Sequence, residues 1–127
     1  MNADVVVFDT GALIALERRQ ARMWRLVQRV VREHRRIIVP AGVLAQAWRD
    51  DTRQHAISRL IKGRTTLIDP LNKETARQAG ALLGRAGASD VVDGHVALLG
   101  AKFRAPVLTS DPDAIGKIDP ALTIVCI

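Results

Sequence analysis

Four aspartates occupy positions from which carboxylates could act together on a ligand. Asp9 ends a short apolar run, Asp90 and Asp93 precede a second apolar stretch, and Asp111 follows a third. A separation of three residues puts Asp90 and Asp93 on one face of a helix. Each aspartate also has a purely structural interpretation, because carboxylates are favoured as helix N-caps and in the first helical turn.

The chemistry that such a set predicts is the binding of a divalent metal ion. Clustered carboxylates repel one another and raise one another's pKa unless a cation neutralises them. Ligation by oxygen atoms favours Mg²⁺ or Mn²⁺ over zinc, whose sites favour histidine and cysteine. His34, His55 and His95 have no ligand spacing and are expected to be structural or surface residues.

Short apolar runs alternate with amphipathic stretches along the chain, which predicts an α/β fold. Strands are expected at residues 4–8, 36–39, 65–68, 106–109 and 122–127, and helices in the segments between them. This alternation indicates a parallel sheet of four or five strands with helices on both faces. Because ligands bind at the carboxyl edge of such a sheet, we expect the four aspartates to lie together there.

The composition indicates one domain comprising residues 1–127. Hydrophobic residues make up 48% of the chain and aromatic residues only 3%, so the core must consist of aliphatic side chains. The lone Cys126, with no secretion leader and no apolar run of membrane-spanning length, predicts a cytoplasmic protein that does not enter a membrane. Glycine-rich loops that bind dinucleotides or ATP do not occur in the sequence, which argues against those two classes.

An excess of positive charge is concentrated in one segment. The chain has 19 Lys plus Arg against 13 Asp plus Glu, a formal net charge of +6. Six arginines alternate steps of four and three residues, a spacing that lines one helix face: Arg18, Arg22, Arg25, Arg29, Arg32 and Arg36. This arginine stripe is either a solvated face or a surface that binds phosphates or an acidic partner. The apolar residues expected on the opposite side are Met23, Leu26, Val27, Val30 and Val31.

The motifs of this chain resemble those of the PIN-domain ribonucleases, and more closely those of the VapC-type toxins of bacterial toxin–antitoxin pairs. The resemblance runs in order through VVVFDTGALIAL, VPAGVLA, SDVVDGHVALLG and PVLTSDPDAI, over nearly the whole chain. Asp9, Asp93 and Asp111 match the first, third and fourth acidic residues of the family, and Asp90 is an accessory candidate. The second acidic residue is usually a glutamate, and Gln46 stands at the matching position.

What the resemblance implies is a single PIN-like domain that hydrolyses RNA phosphodiesters with Mg²⁺ or Mn²⁺. Asp9, Asp93 and Asp111 would be catalytic, and with Asp90 they would hold the metal. The residues expected to support the site are Thr10, Gln46, Thr109 and Asp113. The uncharged Gln46 is expected to weaken metal affinity while contributing a hydrogen bond.

The same resemblance implies a small antitoxin as partner and a homodimer. The arginines expected to bind RNA or the partner are Arg22, Arg25, Arg29 and Arg32. Trp24 and Trp48 can each be a core residue or an interface anchor, and the burial habits of tryptophan favour the core.

Two other functions are compatible with parts of this pattern. Because Gln46 replaces a glutamate, the chain can be a catalytically weak or inactive binding module on the PIN scaffold. A phosphoacceptor signalling domain shares the α/β sheet, but it requires an acidic pair after the first strand and a lysine at the end of a late strand. This chain has a single Asp9 and Thr109 at those two places, which argues against that class.

Overall fold

A five-stranded parallel sheet forms the centre of the structure, a computed structural model that describes residues 4–127. The strands lie in the order β3-β2-β1-β4-β5, and each neighbouring pair is parallel. This confirms the predicted fold class. The strands are β1 (Val5–Phe8), β2 (Arg36–Pro40), β3 (Thr66–Asp69), β4 (Val107–Thr109) and β5 (Ile124–Cys126).

Seven helices connect the strands within residues 4–127, and each lies in a segment where the sequence predicts one. The third helix ends at Ala47, because its C-cap Trp48 has an extended backbone. None of the described helices is long and apolar enough to cross a membrane. The helices are α1 (Thr10–Glu17), α2 (Ala21–Arg32), α3 (Ala41–Ala47), α4 (His55–Lys62), α5 (Lys73–Ala86), α6 (Val91–Phe103) and α7 (Pro112–Ile118).

The strand order creates a topological switch point between β1 and β4. From β1 the chain moves outwards to β2 and β3, and it then crosses to β4 and β5 on the other side of β1. In open α/β sheets, ligands bind outside the carboxyl ends of the strands at such a point. Here those ends are Phe8, which is followed by Asp9, and Thr109, which precedes Ser110 and Asp111.

Burial explains why β1 is the central strand. All four residues from Val5 to Phe8 are buried, as an apolar run covered on both faces of a parallel sheet requires. Helix α6 is apolar on nearly every side, and it packs against β1, β2 and β4. Its buried His95 forms a hydrogen bond with Asp69 at the end of β3, with 2.7 Å between Nε2 and Oδ2. His95 is therefore a structural residue, as predicted.

The arginine stripe is shorter in the structure than the sequence spacing suggests. Helix α2 contains four of its members, whereas Arg18 is the C-cap of α1 and Arg36 begins β2. The periodicity could not reveal the turn at residues 18–20, where Arg19 adopts a left-handed backbone with φ of 56°. Because this turn separates α1 from α2, the prediction of six arginines on one helix face was wrong.

Candidate functional site

Asp9 lies at the switch point, buried at the carboxyl end of β1. Its Oδ1 accepts a hydrogen bond of 2.7 Å from the backbone N–H of Thr10, so Asp9 caps helix α1. Its Oδ2 accepts a second bond of 2.7 Å from the buried hydroxyl of Thr109 on β4. The two bonds hold the carboxylate at the junction of a strand and a helix, and they satisfy a charged group that has little access to solvent.

Thr109 connects two of the predicted site residues. While its Oγ1 donates to Asp9, the same oxygen accepts a 3.0 Å bond from the backbone N–H of Asp111. Asp111 itself is exposed, and its Oδ1 caps α7 by accepting from the N–H of Ala114 at 3.3 Å. The capping interpretation of Asp111 is therefore confirmed, and its second carboxylate oxygen makes no hydrogen bond within residues 4–127.

A close backbone approach brings the turns after β1 and β4 together. A Cβ atom placed on Gly11 would lie 2.1 Å from Oγ and 2.7 Å from Cβ of Ser110. Such distances are far inside van der Waals contact, so only glycine allows the start of α1 to lie against the β4–α7 turn. Gly11 is thus the residue that lets Asp9 and Asp111 share one edge of the sheet.

The start of α6 supplies the other two carboxylates. Asp90 is the N-cap, with its Oδ1 accepting a 3.0 Å bond from the backbone N–H of Asp93. Burial, followed by repulsion from Asp90, Asp9 and Asp111, raises the pKa of Asp93 to about 6. Because the other three aspartates all act on Asp93, the four residues form one electrostatic cluster, defined here as the carboxylate site.

Gln46 and Thr10 lie next to this cluster. The hydroxyl of Thr10 donates a 2.6 Å hydrogen bond to Oε1 of Gln46, which joins α3 to the first residue of α1. Asp113 is exposed in the first turn of α7, and no hydrogen bond within residues 4–127 links it to the other site residues. Of the predicted supporting residues, the structure therefore brings Thr10, Gln46 and Thr109 to the site and leaves Asp113 at its margin.

The donor chemistry of the carboxylate site fits a hard divalent cation. The available ligands are carboxylate oxygens, which suit Mg²⁺ or Mn²⁺. Burial and then repulsion from the other three aspartates raise the pKa of Asp93, and a bound cation would offset that repulsion. Among residues 4–127, no three acidic, histidine or cysteine side chains are already close enough together to coordinate an ion. Metal binding would therefore require rotation of the exposed carboxylates towards Asp93.

The stripe on α2 begins beside the same edge of the sheet. Arg22 donates a 2.9 Å hydrogen bond through Nη1 to the carbonyl oxygen of Cys126, the β5 residue in register with Thr109. Arg25 and Arg32 are exposed, and Arg29 forms an exposed ion pair of 3.3 Å with Glu33. The helix thus begins beside the end of β5, the strand next to the one that supports Asp9.

Between α2 and α4 lies an open groove of about 860 Å³ that the sequence did not predict. Trp24 and Val31 in its wall are 42% and 45% exposed, so the prediction of a core role for Trp24 was wrong. Trp48, in contrast, is partly buried against the core as predicted. The groove is apolar along its wall and basic at its rim, where it is lined by Arg19, His55, Arg59 and Arg64.

A signal for the groove was present in the sequence but ambiguous. Trp24 and Val31 are seven residues apart, so they share a helix face. An apolar helix face usually packs inside the protein, but here Trp24 and Val31 remain exposed while α4 packs against α1. The backbone N–H of Ile57 in α4 donates 2.9 Å to Oε2 of Glu17 in α1, an interaction that spacing alone could not reveal.

Comparison with solved structures identifies chains with the same fold. A chain of VapBC2 from Rickettsia felis, bound to a DNA fragment from its promoter, has a TM-score of 0.71 at 14% identity, with 97% of this chain and 98% of that chain covered. FitAcB from Neisseria gonorrhoeae has a TM-score of 0.61 at 14% identity, with 94% and 95% covered. FitAB bound to the IR36 DNA fragment has a TM-score of 0.65 at 13% identity, with 95% and 94% covered.

These similarities confirm the PIN-like fold over almost the full length of the chain. No protein-family model matches the sequence. The comparison with curated proteins likewise finds no match. At 13–14% identity the shared property is the backbone architecture, and the chemistry of the chain depends on its own residues at the carboxylate site.

Replacement of Asp93 by asparagine should change how stability depends on pH. Asp93 has a folded-state pKa of about 6, above the ordinary 3.8. Its contribution to the free energy of unfolding is therefore fully present below the ordinary value and is lost as the pH rises through about 6. Asp93→Asn cannot ionise and escapes this loss. We expect its free energy of unfolding to exceed that of the wild type at pH 7 by on the order of 1 kcal/mol, discounted for solvent screening.

Urea unfolding in EDTA at about pH 4 and pH 7 measures this difference. The exposed Asp113→Asn variant is the control for removing one negative charge near a helix start. A stability difference between Asp93→Asn and the wild type that is the same at both pH values would show that Asp93 is not electrostatically strained.

Proposed function

We propose that this protein is a metal-dependent endoribonuclease and the toxin of a type II toxin–antitoxin pair. The observation that carries the proposal is the meeting of Asp9, Asp93 and Asp111 at the switch point, with Thr109 bonded to two of them. Similarity in fold to VapBC2 and FitAB supports the same type of function. The site is at the place where an open α/β sheet binds ligands.

In this proposal Asp9, Asp93 and Asp111 hold Mg²⁺ or Mn²⁺, and Asp90 assists them. The bound cation would activate a water molecule and neutralise charge that develops on the phosphate. Thr109 keeps the Asp9 carboxylate fixed by donating to Oδ2. Asp93 must lose its proton to bind a cation, and a bound cation would offset the repulsion that it experiences from Asp90, Asp9 and Asp111.

The arginines of α2 would supply the attraction for RNA that the carboxylate site lacks. A cluster of four aspartates repels a phosphate backbone, whereas Arg22, Arg25, Arg29 and Arg32 form a cationic surface that begins beside the strand end next to Thr109. Guanidinium groups bind phosphate oxygens in a bidentate manner. The protein would therefore hold the RNA backbone on α2 and act on it at the carboxylate site.

We expect cleavage of RNA only when Mg²⁺ or Mn²⁺ is present. Asp9→Asn and Asp93→Asn should lower cleavage to the rate seen in EDTA, because each variant removes a negative ligand while its amide preserves the local shape. A gel assay with a labelled RNA measures the rate, and circular dichroism checks the fold. Glu74→Gln, which neutralises an exposed carboxylate on α5, is the control. Robust cleavage in excess EDTA would contradict the proposal.

A second candidate function is a non-catalytic binding module on the same scaffold. It is favoured by the neutral Gln46 and by the lack of a ready-made metal cluster among the described residues. Calorimetric titration with Mn²⁺ separates the two functions when it is combined with the cleavage assay. RNA binding without metal binding or cleavage would favour the module.

Joint neutralisation of Arg25, Arg29 and Arg32 by glutamine should weaken RNA binding to a similar degree for different sequences. The slope of log affinity against log salt should flatten by roughly one unit for each phosphate that is no longer neutralised. A matched triple variant on α5, Lys73→Gln with Arg77→Gln and Arg85→Gln, removes the same charge elsewhere. An unchanged slope would indicate that the arginine stripe is only a solvated face.

The groove between α2 and α4 is the surface that we propose for the antitoxin. Its wall exposes Trp24 and Val31, and its basic rim favours an apolar segment flanked by acidic residues. The hydroxyl of Thr66, also at the groove, is buried without a hydrogen-bond partner among the described residues. A polar group of the bound segment could supply that partner.

Trp24→Ala should weaken binding of the antitoxin by roughly 2 kcal/mol or more, as for a buried aromatic anchor. The antitoxin for this test is the product of a short gene adjacent to that of the toxin. Co-purification and calorimetry measure the affinity. Leu67→Ala, at an apolar residue on β3 that is 50% exposed, is the control. Equal affinity of Trp24→Ala and the wild type would exclude the groove as the main contact.

We also propose that the protein is cytoplasmic and forms a homodimer. The exposed, free thiol of Cys126 suits a reducing cytoplasm. The homodimer implied by the family resemblance can be tested by sedimentation of the purified protein at several concentrations.

A further inference from the structure

The amide of Gln46 is hydrogen-bonded at its oxygen and free at its nitrogen within the described residues. Its Oε1 accepts the 2.6 Å hydrogen bond from the hydroxyl of Thr10. Its Nε2 has no hydrogen-bond partner within residues 4–127, and the residue is exposed. The side chain therefore offers two N–H donors beside Thr10, the residue that follows Asp9.

The position of Thr10 leaves its hydroxyl free to donate to the amide oxygen of Gln46. Inside a helix, a threonine hydroxyl can donate to the carbonyl four residues earlier. Thr10 is the first residue of α1, and the residue four positions earlier is Val6 in strand β1. The hydroxyl thus lacks a helical acceptor, and the Gln46 oxygen provides one.

This geometry assigns Gln46 a role different from the one expected of the second acidic position. We propose that Gln46 binds substrate, with its Nε2 donating to a phosphate oxygen of the RNA while its oxygen, held by Thr10, stays off the cation. An N–H group cannot ligate a cation, but it binds an anionic oxygen well. The inference rests on the proposed function, because it names the contact between that site and its substrate.

The charge of the carboxylate site gives such a donor a physical purpose. Asp93 already experiences repulsion from Asp90, Asp9 and Asp111. A fifth carboxylate would add to this repulsion and to that felt by an approaching phosphate. A neutral donor at position 46 instead attracts the phosphate, while the four aspartates remain available to a cation.

Calorimetry with Mn²⁺ in the absence of RNA distinguishes a substrate contact from a metal ligand. We expect the Mn²⁺ affinity of Gln46→Ala to lie within about twofold of that of the wild type. Loss of a group that orients a metal or its water would instead lower the affinity on the order of tenfold to a hundredfold. Gln46→Glu is expected to bind Mn²⁺ more tightly, because it adds a negative charge. A tenfold loss of Mn²⁺ affinity in Gln46→Ala would overturn the proposal.

The rate of RNA cleavage at saturating Mn²⁺ should depend on the Gln46 amide even though the affinity for Mn²⁺ does not. We expect kcat/KM to fall by on the order of tenfold to a hundredfold in Gln46→Ala, the usual effect of losing a hydrogen bond to a charged group. The kcat/KM of Gln46→Glu should fall at least as far, because a carboxylate repels phosphate. Gln78→Ala and Gln78→Glu on α5 are the matched controls, since Gln78 is exposed and lies on a different helix. Equal kcat/KM in Gln46→Ala and the wild type would also overturn the proposal.

Thr10 tests whether the orientation of the amide matters. Thr10→Val removes the hydroxyl and should reduce kcat/KM in the same direction as Gln46→Ala, and Thr10→Ser should recover most of that loss because it restores the donor. If the wild type does not cleave RNA at all, the proposed function fails. The inference is then tested by fluorescence anisotropy with single-stranded RNA and Mn²⁺. Equal RNA affinities of the wild type and Gln46→Ala would refute it.

Discussion

The hydrogen bond from Thr109 to Asp9 joins the two strands on either side of the switch point. A carboxylate at the buried end of a central strand is costly unless both of its oxygens are bonded, and Asp9 meets this requirement through α1 on one side and β4 on the other. The register of β1 with β4 pairs Phe8 with Leu108, which brings the next residues of the two strands side by side. The remaining carboxylates are arranged around this fixed point.

Much of this architecture was predictable because each signal is local. A buried run such as Val5–Phe8 ends where a polar residue meets the helix start, and the parallel sheet then brings such ends to one edge. Asn72 and Gly87 likewise mark the two ends of α5, one by capping the first turn and the other by adopting a left-handed backbone. The placement of Asp9, Asp93 and Asp111 at one edge follows from these local rules and the strand order.

What could not be predicted depends on contacts between segments that are distant in sequence. The spacing of the arginines says nothing about the turn near Arg19, which divides the segment into two helices. Exposure of Trp24 depends on where the other helices pack, and the contact that joins Glu17 of α1 to Ile57 of α4 spans forty residues. The orientation of the Gln46 amide depends in the same way on a hydroxyl thirty-six residues away.

The capping roles of Asp90 and Asp111 have an evolutionary consequence. Asparagine is as good an N-cap as aspartate, and the codons of the two residues differ at a single base. A lineage can therefore discard these two charges one at a time while α6 and α7 each keep their capping hydrogen bond. The scaffold is thus tolerant of losing these two carboxylates, and descendants without them would inherit an intact fold with its groove and its basic helix.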